Sequence, residues 1–138
     1  MFQTGLDVLI DEHLARLQGR RVGLVSHPAG VDRRLTGSAL CLLKAGVHLT
    51  ALFGPEHGFD GQHPMFTPVG HRQDTHTGLP IFSLYGETKE PTPEMLADVD
   101  VLLFDVQDFG ARYNTFLSTL VYVLRGAAKA GKEVMVLD

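Results

Sequence analysis

The chain has 138 residues, of which 44% are hydrophobic and 20% charged, as is usual for one globular domain and unlike a disordered or fibrous protein. The net charge is −4 and the 12 lysines and arginines are scattered, which argues against a nucleic-acid-binding protein. The single cysteine, Cys41, excludes an internal disulfide. No apolar run approaches the ~20 residues that span a membrane, and no signal peptide is visible, so we expect a cytoplasmic protein.

Hydrophobic spacing and turn residues predict an alternation of helices and strands. In chain order, the predicted elements are a helix (5–18), a strand (21–26), a helix (36–45), a strand (47–53), a short strand (80–84), a short helix (92–97), a strand (100–106), a helix (114–130) and a strand (133–137). The segment 54–78 has no convincing period, and such a stretch in a compact domain is usually functional or mobile. The alternation predicts an α/β fold with a parallel sheet and helices on both faces.

Candidate site residues follow from this fold, because open parallel sheets bind ligands beyond the carboxyl ends of their strands. Polar side chains follow four of the predicted strands: His27 after the first, Glu56 and His57 after the second, Tyr85 and Glu87 after the third, and Asp105, Gln107, Asp108, Arg112 and Tyr113 after the fourth. We expect these side chains to meet along one edge of the sheet.

Glu56 and Glu87 lie in turns that contain glycine, where the backbone can approach a ligand closely. Two carboxyl groups at one edge suit glycoside hydrolysis, in which one protonates the leaving oxygen and the other attacks the sugar or activates water. A neighbouring acid, such as Asp105 or Asp108, would raise the pKa of the proton donor. The alternative is structural: both glutamates cap helices or form surface ion pairs.

The turn after the fourth strand is dense in polar groups and suits an anionic sugar. Arg112 offers a planar donor pair to a carboxylate, and the predicted helix that starts near Asn114 also favours an anion. Tyr85 and Tyr113 are candidates for stacking on a sugar ring, or for ordinary packing at the edge. No glycine-rich phosphate loop is present, so the sheet does not imply NAD or ATP and we expect no cofactor. A serine nucleophile elbow is also absent.

Several blocks of the sequence are unusual enough to indicate a family. They are RVGLVSHPAGVD (21–32), LFGPEHG (52–58), TGLP (77–80), SLYGET (83–88), PTPEM (91–95), FDVQD (104–108) and GARY (110–113). In this order they resemble the exo-β-N-acetylmuramidase family, formerly DUF1343, over nearly the whole chain, from about Gly5 to Asp138. The segment 59–74 departs from the Gly- and Ala-rich acidic loop that is usual in this family.

The resemblance implies a Rossmann-like, doubly wound N-terminal domain over 1–138, without the second domain that follows in the family. It implies release of N-acetylmuramic acid from the non-reducing end of peptidoglycan fragments, with no metal or other cofactor. It implies Glu56 and Glu87 as the catalytic residues. The residues it implies for the pocket are Asp105, Gln107, Asp108 and Arg112, beside His27, His57, Tyr85 and Tyr113 from the analysis of strand ends. An exposed apolar face, where a second domain would dock, predicts self-association.

Two other functions remain open on the sequence alone. The same residues would serve a non-catalytic module that binds muramyl sugars or peptidoglycan. A metal-dependent hydrolase would use Asp105, Asp108 and His57 as ligands, although the remaining histidines of 54–78 lack the spacing of a metal site.

Overall fold

The protein is described here by a computed structural model, which covers residues 2–64, 66–67 and 70–137. The strands are β1 (Val22–Ser26), β2 (Leu49–Gly54), β3 (Arg72–Gln73), β4 (Pro80–Ser83), β5 (Val101–Asp105) and β6 (Glu133–Val136). The helices are α1, which runs as an α-helix (Gly5–Val8), a π-helix (Leu9–His13) and a 3₁₀ turn (Leu14–Leu17), then α2 (Ser38–Lys44) and α3 (Phe116–Lys129). Among these described helices, none is long and apolar enough to cross a membrane.

The six strands form one sheet in the order β3-β4-β2-β1-β5-β6. Every neighbouring pair is parallel except β3 and β4, which are antiparallel at one edge. Without β3, the strand order is that of the first five strands of a Rossmann-type sheet. The chain adds strands on one side of β1 up to β4 and on the other side from β5 onwards, so the strand order reverses between β1 and β5. The predicted α/β, Rossmann-like fold is therefore confirmed.

Apolar side chains alternate between the two faces of the sheet, so each face has its own core. One core packs under α1 and α2 and includes Leu6, Leu24, Leu42, Leu52 and Leu103. The other packs under the segment 92–99 and α3 and includes Phe53, Leu96, Val99, Leu102 and Val123. The strands β1 and β5 are buried along their full length, as the apolar run at 100–106 predicted for that region.

Two local predictions were wrong. The predicted helix at 92–97 is a series of turns, in which the Leu96 amide lies 3.1 Å from the Thr92 carbonyl and 3.2 Å from the Pro93 carbonyl. A segment this short does not repay the cost of starting a helix before the chain enters β5. The segment 54–78, predicted to lack regular structure, contains β3, whose Arg72 forms an ion pair of 2.6 Å with Asp60.

Candidate functional site

The order of the strands along the sheet reverses between β1 and β5, and polar residues meet at that point. Ser26 and Asp105 end the two strands as register partners. Just beyond them, Nε2 of His27 lies 3.0 Å from Oε1 and 3.1 Å from the backbone nitrogen of Gln107. Nε2 of Gln107 in turn donates to Oδ1 of Asp105 over 3.0 Å. This chain of contacts occupies the place where open α/β sheets bind ligands.

Asp105 is enclosed rather than open to a ligand, since its exposed fraction is 2%. Burial raises the pKa of its carboxyl, and hydrogen bonds from Ser38 and Gln107 offset this only in part. Oδ2 has no hydrogen-bond partner among the described residues. A Cβ on Gly30 would come within 3.0 Å of Oδ2 and 2.1 Å of the Ser26 hydroxyl, so glycine is needed for the chain to close over this carboxylate.

Glu56 lies in a tight turn after β2. The Gly58 amide donates to the Pro55 carbonyl over 2.9 Å, and His57 and Gly58 both have left-handed backbone, with φ of 72° and 82°. Histidine is among the few residue types that adopt this conformation with some frequency. The turn directs Glu56 inward, where its exposed fraction is 6%.

Two distant parts of the chain donate hydrogen bonds to the Glu56 carboxylate. The Phe66 amide donates to Oε1 over 3.2 Å, and the Thr115 hydroxyl donates to Oε2 over 2.7 Å. Burial by itself would raise the pKa of Glu56, but hydrogen bonds from Thr115, Phe66 and Tyr85 and the nearby His57 bring it below its usual value. Glu56 is therefore held as a carboxylate, and burial together with Glu56 raises the pKa of Tyr85.

Glu87 follows β4, the neighbour of β2 in the sheet, and Gly54 and Ser83 at the ends of these strands are register partners. The two predicted catalytic glutamates therefore follow adjacent strands at one edge. Glu87 is exposed, and it makes no hydrogen bond or ion pair within the described ranges. Within the described ranges neither glutamate forms the surface ion pair that was one form of the structural alternative, and Glu56 is not a surface residue.

The remaining predicted residues divide into anchored and outward-facing ones. Nδ1 of His57 donates to the His63 carbonyl over 2.9 Å, which leaves Nε2 as the acceptor of the neutral ring. Asp108 accepts a hydrogen bond of 2.6 Å from the Gly110 amide and thereby closes its own turn. Arg112 is exposed, and Tyr113 is 84% exposed with Phe109 at a ring distance of 6.5 Å.

Metal binding finds no support in this geometry. Within residues 2–64, 66–67 and 70–137, no three side chains of His, Cys, Asp or Glu are grouped as metal ligands would be.

Sequence reasoning missed Thr115, which binds Glu56, and Ser38, whose hydroxyl donates to the Gly30 carbonyl over 3.1 Å beside Asp105. Thr115 is the residue just before α3, and a residue there is ordinarily interpreted as a helix cap. Its side chain makes no capping hydrogen bond and binds Glu56 instead. A third buried acid, Asp7, lies elsewhere and closes the N-terminus of α1 through Thr4.

The fold and the site together define a Rossmann-like α/β protein with two enclosed carboxyl groups, Glu56 and Asp105, at the carboxyl edge of its sheet. Residues 22–138 match the family model described as exo-β-N-acetylmuramidase NamZ, N-terminal. The chain therefore belongs to the NamZ family.

Individual relatives agree with this assignment. The chain is 47% identical over 137 residues to the peptidoglycan β-N-acetylmuramidase NamZ of Bacillus subtilis, which covers 99% of this chain and 33% of that protein. Crystal structures of two DUF1343 family proteins from Bacteroides fragilis match with TM-scores of 0.89 and 0.81 at 45% and 26% identity, each covering 99% of this chain and 34% of the other. The chain thus spans about a third of the length of these relatives.

Proposed function

We propose that this chain is a glycosidase domain that acts in the release of N-acetylmuramic acid from the non-reducing end of peptidoglycan fragments. The observation that carries the proposal is Glu56, a carboxylate buried at the carboxyl edge of the sheet and held by donors from two distant parts of the chain. A structural carboxylate of this kind would normally pair with a cation, whereas Glu56 is bound by neutral donors. The Bacillus subtilis relative is named for this activity.

The geometry suggests a division of labour between the two glutamates. The lowered pKa of Glu56 keeps it charged, which suits the group that attacks the sugar C1 or takes a proton from the attacking water. Glu87 would give its proton to the glycosidic oxygen as the bond from C1 to that oxygen breaks. Its exposed position at the adjacent strand end leaves it accessible to an entering sugar.

Arg112 and Tyr113 suit the distinguishing groups of the substrate. Muramic acid carries a lactyl carboxylate, and the guanidinium of Arg112 is exposed, with no ion pair within the described ranges. Arginine binds carboxylates with two parallel hydrogen bonds. Tyr113 presents its exposed ring one residue further on, where it could stack on a sugar.

The test is release of N-acetylmuramic acid from a muramyl-glucosamine disaccharide. We expect Glu56→Gln and Glu87→Gln each to lower kcat by about 100-fold or more, as for loss of a catalytic acid or base. Glu12→Gln, at an exposed position of α1, is the matched control and should retain full activity.

Binding measured by calorimetry separates the alternatives. A hydrolase whose glutamate is removed should still bind the disaccharide. A wild-type chain that binds it and releases nothing would favour a binding module over the glycosidase. Activity that disappears with EDTA would favour the metal-dependent alternative.

A further inference from the structure

Gln107 stands between His27 and Asp105, and its carboxamide has only one orientation that suits Asp105. A carboxamide donates from its nitrogen and accepts at its oxygen. Oδ1 of Asp105 accepts from Nε2 of Gln107 over 3.0 Å, so Oε1 must point the other way, toward His27. This holds for either charge state of Asp105 if its proton sits on Oδ2, the oxygen without a partner among the described residues.

Two atoms of Gln107 compete for the same nitrogen of His27. Oε1 lies 3.0 Å from Nε2 and needs a proton there, whereas the backbone amide of Gln107 lies 3.1 Å away and needs a lone pair. A neutral imidazole nitrogen has one or the other, never both. Burial lowers the pKa of His27, and the hydrogen bond with Gln107 offsets this only in part. The ring is therefore neutral near neutral pH, and its tautomer decides which of the two contacts forms.

We propose that Asp105 is a positioning residue that acts through the Gln107 carboxamide to hold His27 with its proton on Nε2 and its acceptor at Nδ1. Asp105 does not itself contact a ligand, because Gly30 and Ser26 enclose it. The His27 ring is held in place from the other side by Phe116, at a ring distance of 4.9 Å in an edge-on arrangement. Nδ1 of His27 is then a fixed hydrogen-bond acceptor between the ends of β1 and β5, where the strand order reverses.

The consequence for substrate depends on the proposed function, whereas the tautomer does not. A sugar carries hydroxyl and N-acetyl groups that donate hydrogen bonds, and a ring with a free acceptor recognises them. If the ring changed to the other tautomer, it would present a donor, which a hydroxyl can still accept but the N–H of the N-acetyl group cannot. The tautomer that Asp105 selects therefore lets His27 accept from the N-acetyl N–H.

The tautomer is measured directly by the ¹⁵N shifts of the His27 ring, assigned by comparison with His27→Gln. We expect a protonated Nε2 and an unprotonated Nδ1 in the wild type. Gln107→Met, at an exposed position, removes the carboxamide and should move the proton to Nδ1, because the backbone amide of residue 107 then donates to Nε2. A wild-type ring protonated at Nδ1 would overturn the proposal.

Asp105→Leu tests the role of the carboxylate itself. Leucine has no acceptor, so the Gln107 carboxamide is no longer held in one orientation and the Nδ1-protonated form should increase. Asp98→Leu is the matched control, since Asp98 is exposed and lies before β5, at the opposite edge of the sheet. Unchanged His27 shifts in a folded Asp105→Leu variant would contradict the proposal, and if that variant does not fold, Gln107→Met still decides it.

Kinetics separate this proposal from the proposed function. Gln107→Met and Asp105→Leu should raise KM for the disaccharide about 2- to 10-fold, the loss expected for one hydrogen bond, with a smaller change in kcat. An equal KM with a lowered kcat would contradict a role in positioning the substrate. If the wild type releases no product, the proposed function fails while the ring shifts still test the role of Asp105.

Discussion

The hydroxyl of Thr115 donates a hydrogen bond of 2.7 Å to Oε2 of Glu56, and so joins the start of α3 to the turn after β2. The residues are 59 positions apart in the chain, and they lie on opposite sides of the point between β1 and β5 where the strand order reverses. This bond is one of those that keep the pKa of Glu56 below its usual value. Because of it, the charge on Glu56 depends on the position of a helix rather than on its own turn alone.

Thr115→Val should raise the pKa of Glu56 and weaken the fold near neutral pH by about 1–3 kcal/mol, the cost of losing a hydrogen bond to a charged group. A carboxyl whose folded pKa is lowered contributes stability above its unfolded value, about 4.3, and this is lost as the pH falls through the folded value. The difference between variant and wild type should therefore shrink in acid. Urea unfolding across the range from about pH 3 to pH 7 measures this.

Thr119→Val provides the control for that experiment. Thr119 is a buried residue of α3 whose hydroxyl donates to the Thr115 carbonyl over 3.2 Å and makes no hydrogen bond to a carboxylate. Its loss of stability should not vary with pH. Parallel pH dependence in the two variants would mean that Thr115 does not act through Glu56.

Gly30→Ala should disturb the enclosure of Asp105. The added Cβ would lie 2.1 Å from the Ser26 hydroxyl and 2.9 Å from the Asp105 carbonyl, and backbone cannot give way as a flexible side chain does. We expect a loss of stability of about 1–3 kcal/mol, as for overpacking, and altered ring shifts of His27. Thermal unfolding and the same ¹⁵N spectrum report both effects.

Gly37→Ala is the comparison for Gly30→Ala, since a Cβ there meets nothing within 4 Å. It should have less than half the effect on stability and none on His27. Equal losses in both variants would show that backbone freedom, rather than close approach to Asp105, accounts for the glycine at 30.

The outer face of α3 predicts self-association. Leu117, Val121 and Leu124, spaced to share one side of the helix, are 63%, 47% and 45% exposed. Sedimentation velocity should show mass increasing with concentration, and Leu117→Glu with Leu124→Glu should abolish the increase. Leu40→Glu, at a 48% exposed position on α2 beyond the opposite face of the sheet, is the control. A monomer at all concentrations would contradict the prediction.

The strands and longer helices were predictable because their signals are local. The apolar run of β5 and the spacing of α3 need no knowledge of the rest of the chain. The turns at 93–98 were mistaken for a helix because the start signal at Thr92 and Pro93 is real, while the length that a helix requires is missing.

The place of the candidate residues at the sheet edge was predictable, but their geometry was not. Residues after parallel strands must lie at one edge, so Glu56, Asp105 and Glu87 could be nominated from the sequence. The difference in burial among these residues could not be predicted. Glu56 is enclosed by Phe66 and Thr115, which are distant in sequence, and Asp105 is enclosed by the close approach of Gly30. Those contacts depend on how loops cross the edge, for which the hydrophobic pattern carries no signal.

The start of α3 contacts both halves of the site through consecutive residues. Thr115 binds Glu56, and Phe116 packs against the ring of His27. A small rotation of the first turn of this helix would thus shift the carboxylate and the imidazole in the same movement. Both buried acids are therefore connected to the start of α3, Glu56 directly and Asp105 through Gln107 and His27. Towards its other end α3 packs closely against Pro91, because a Cβ on Gly126 would lie only 2.6 Å from the Pro91 carbonyl oxygen.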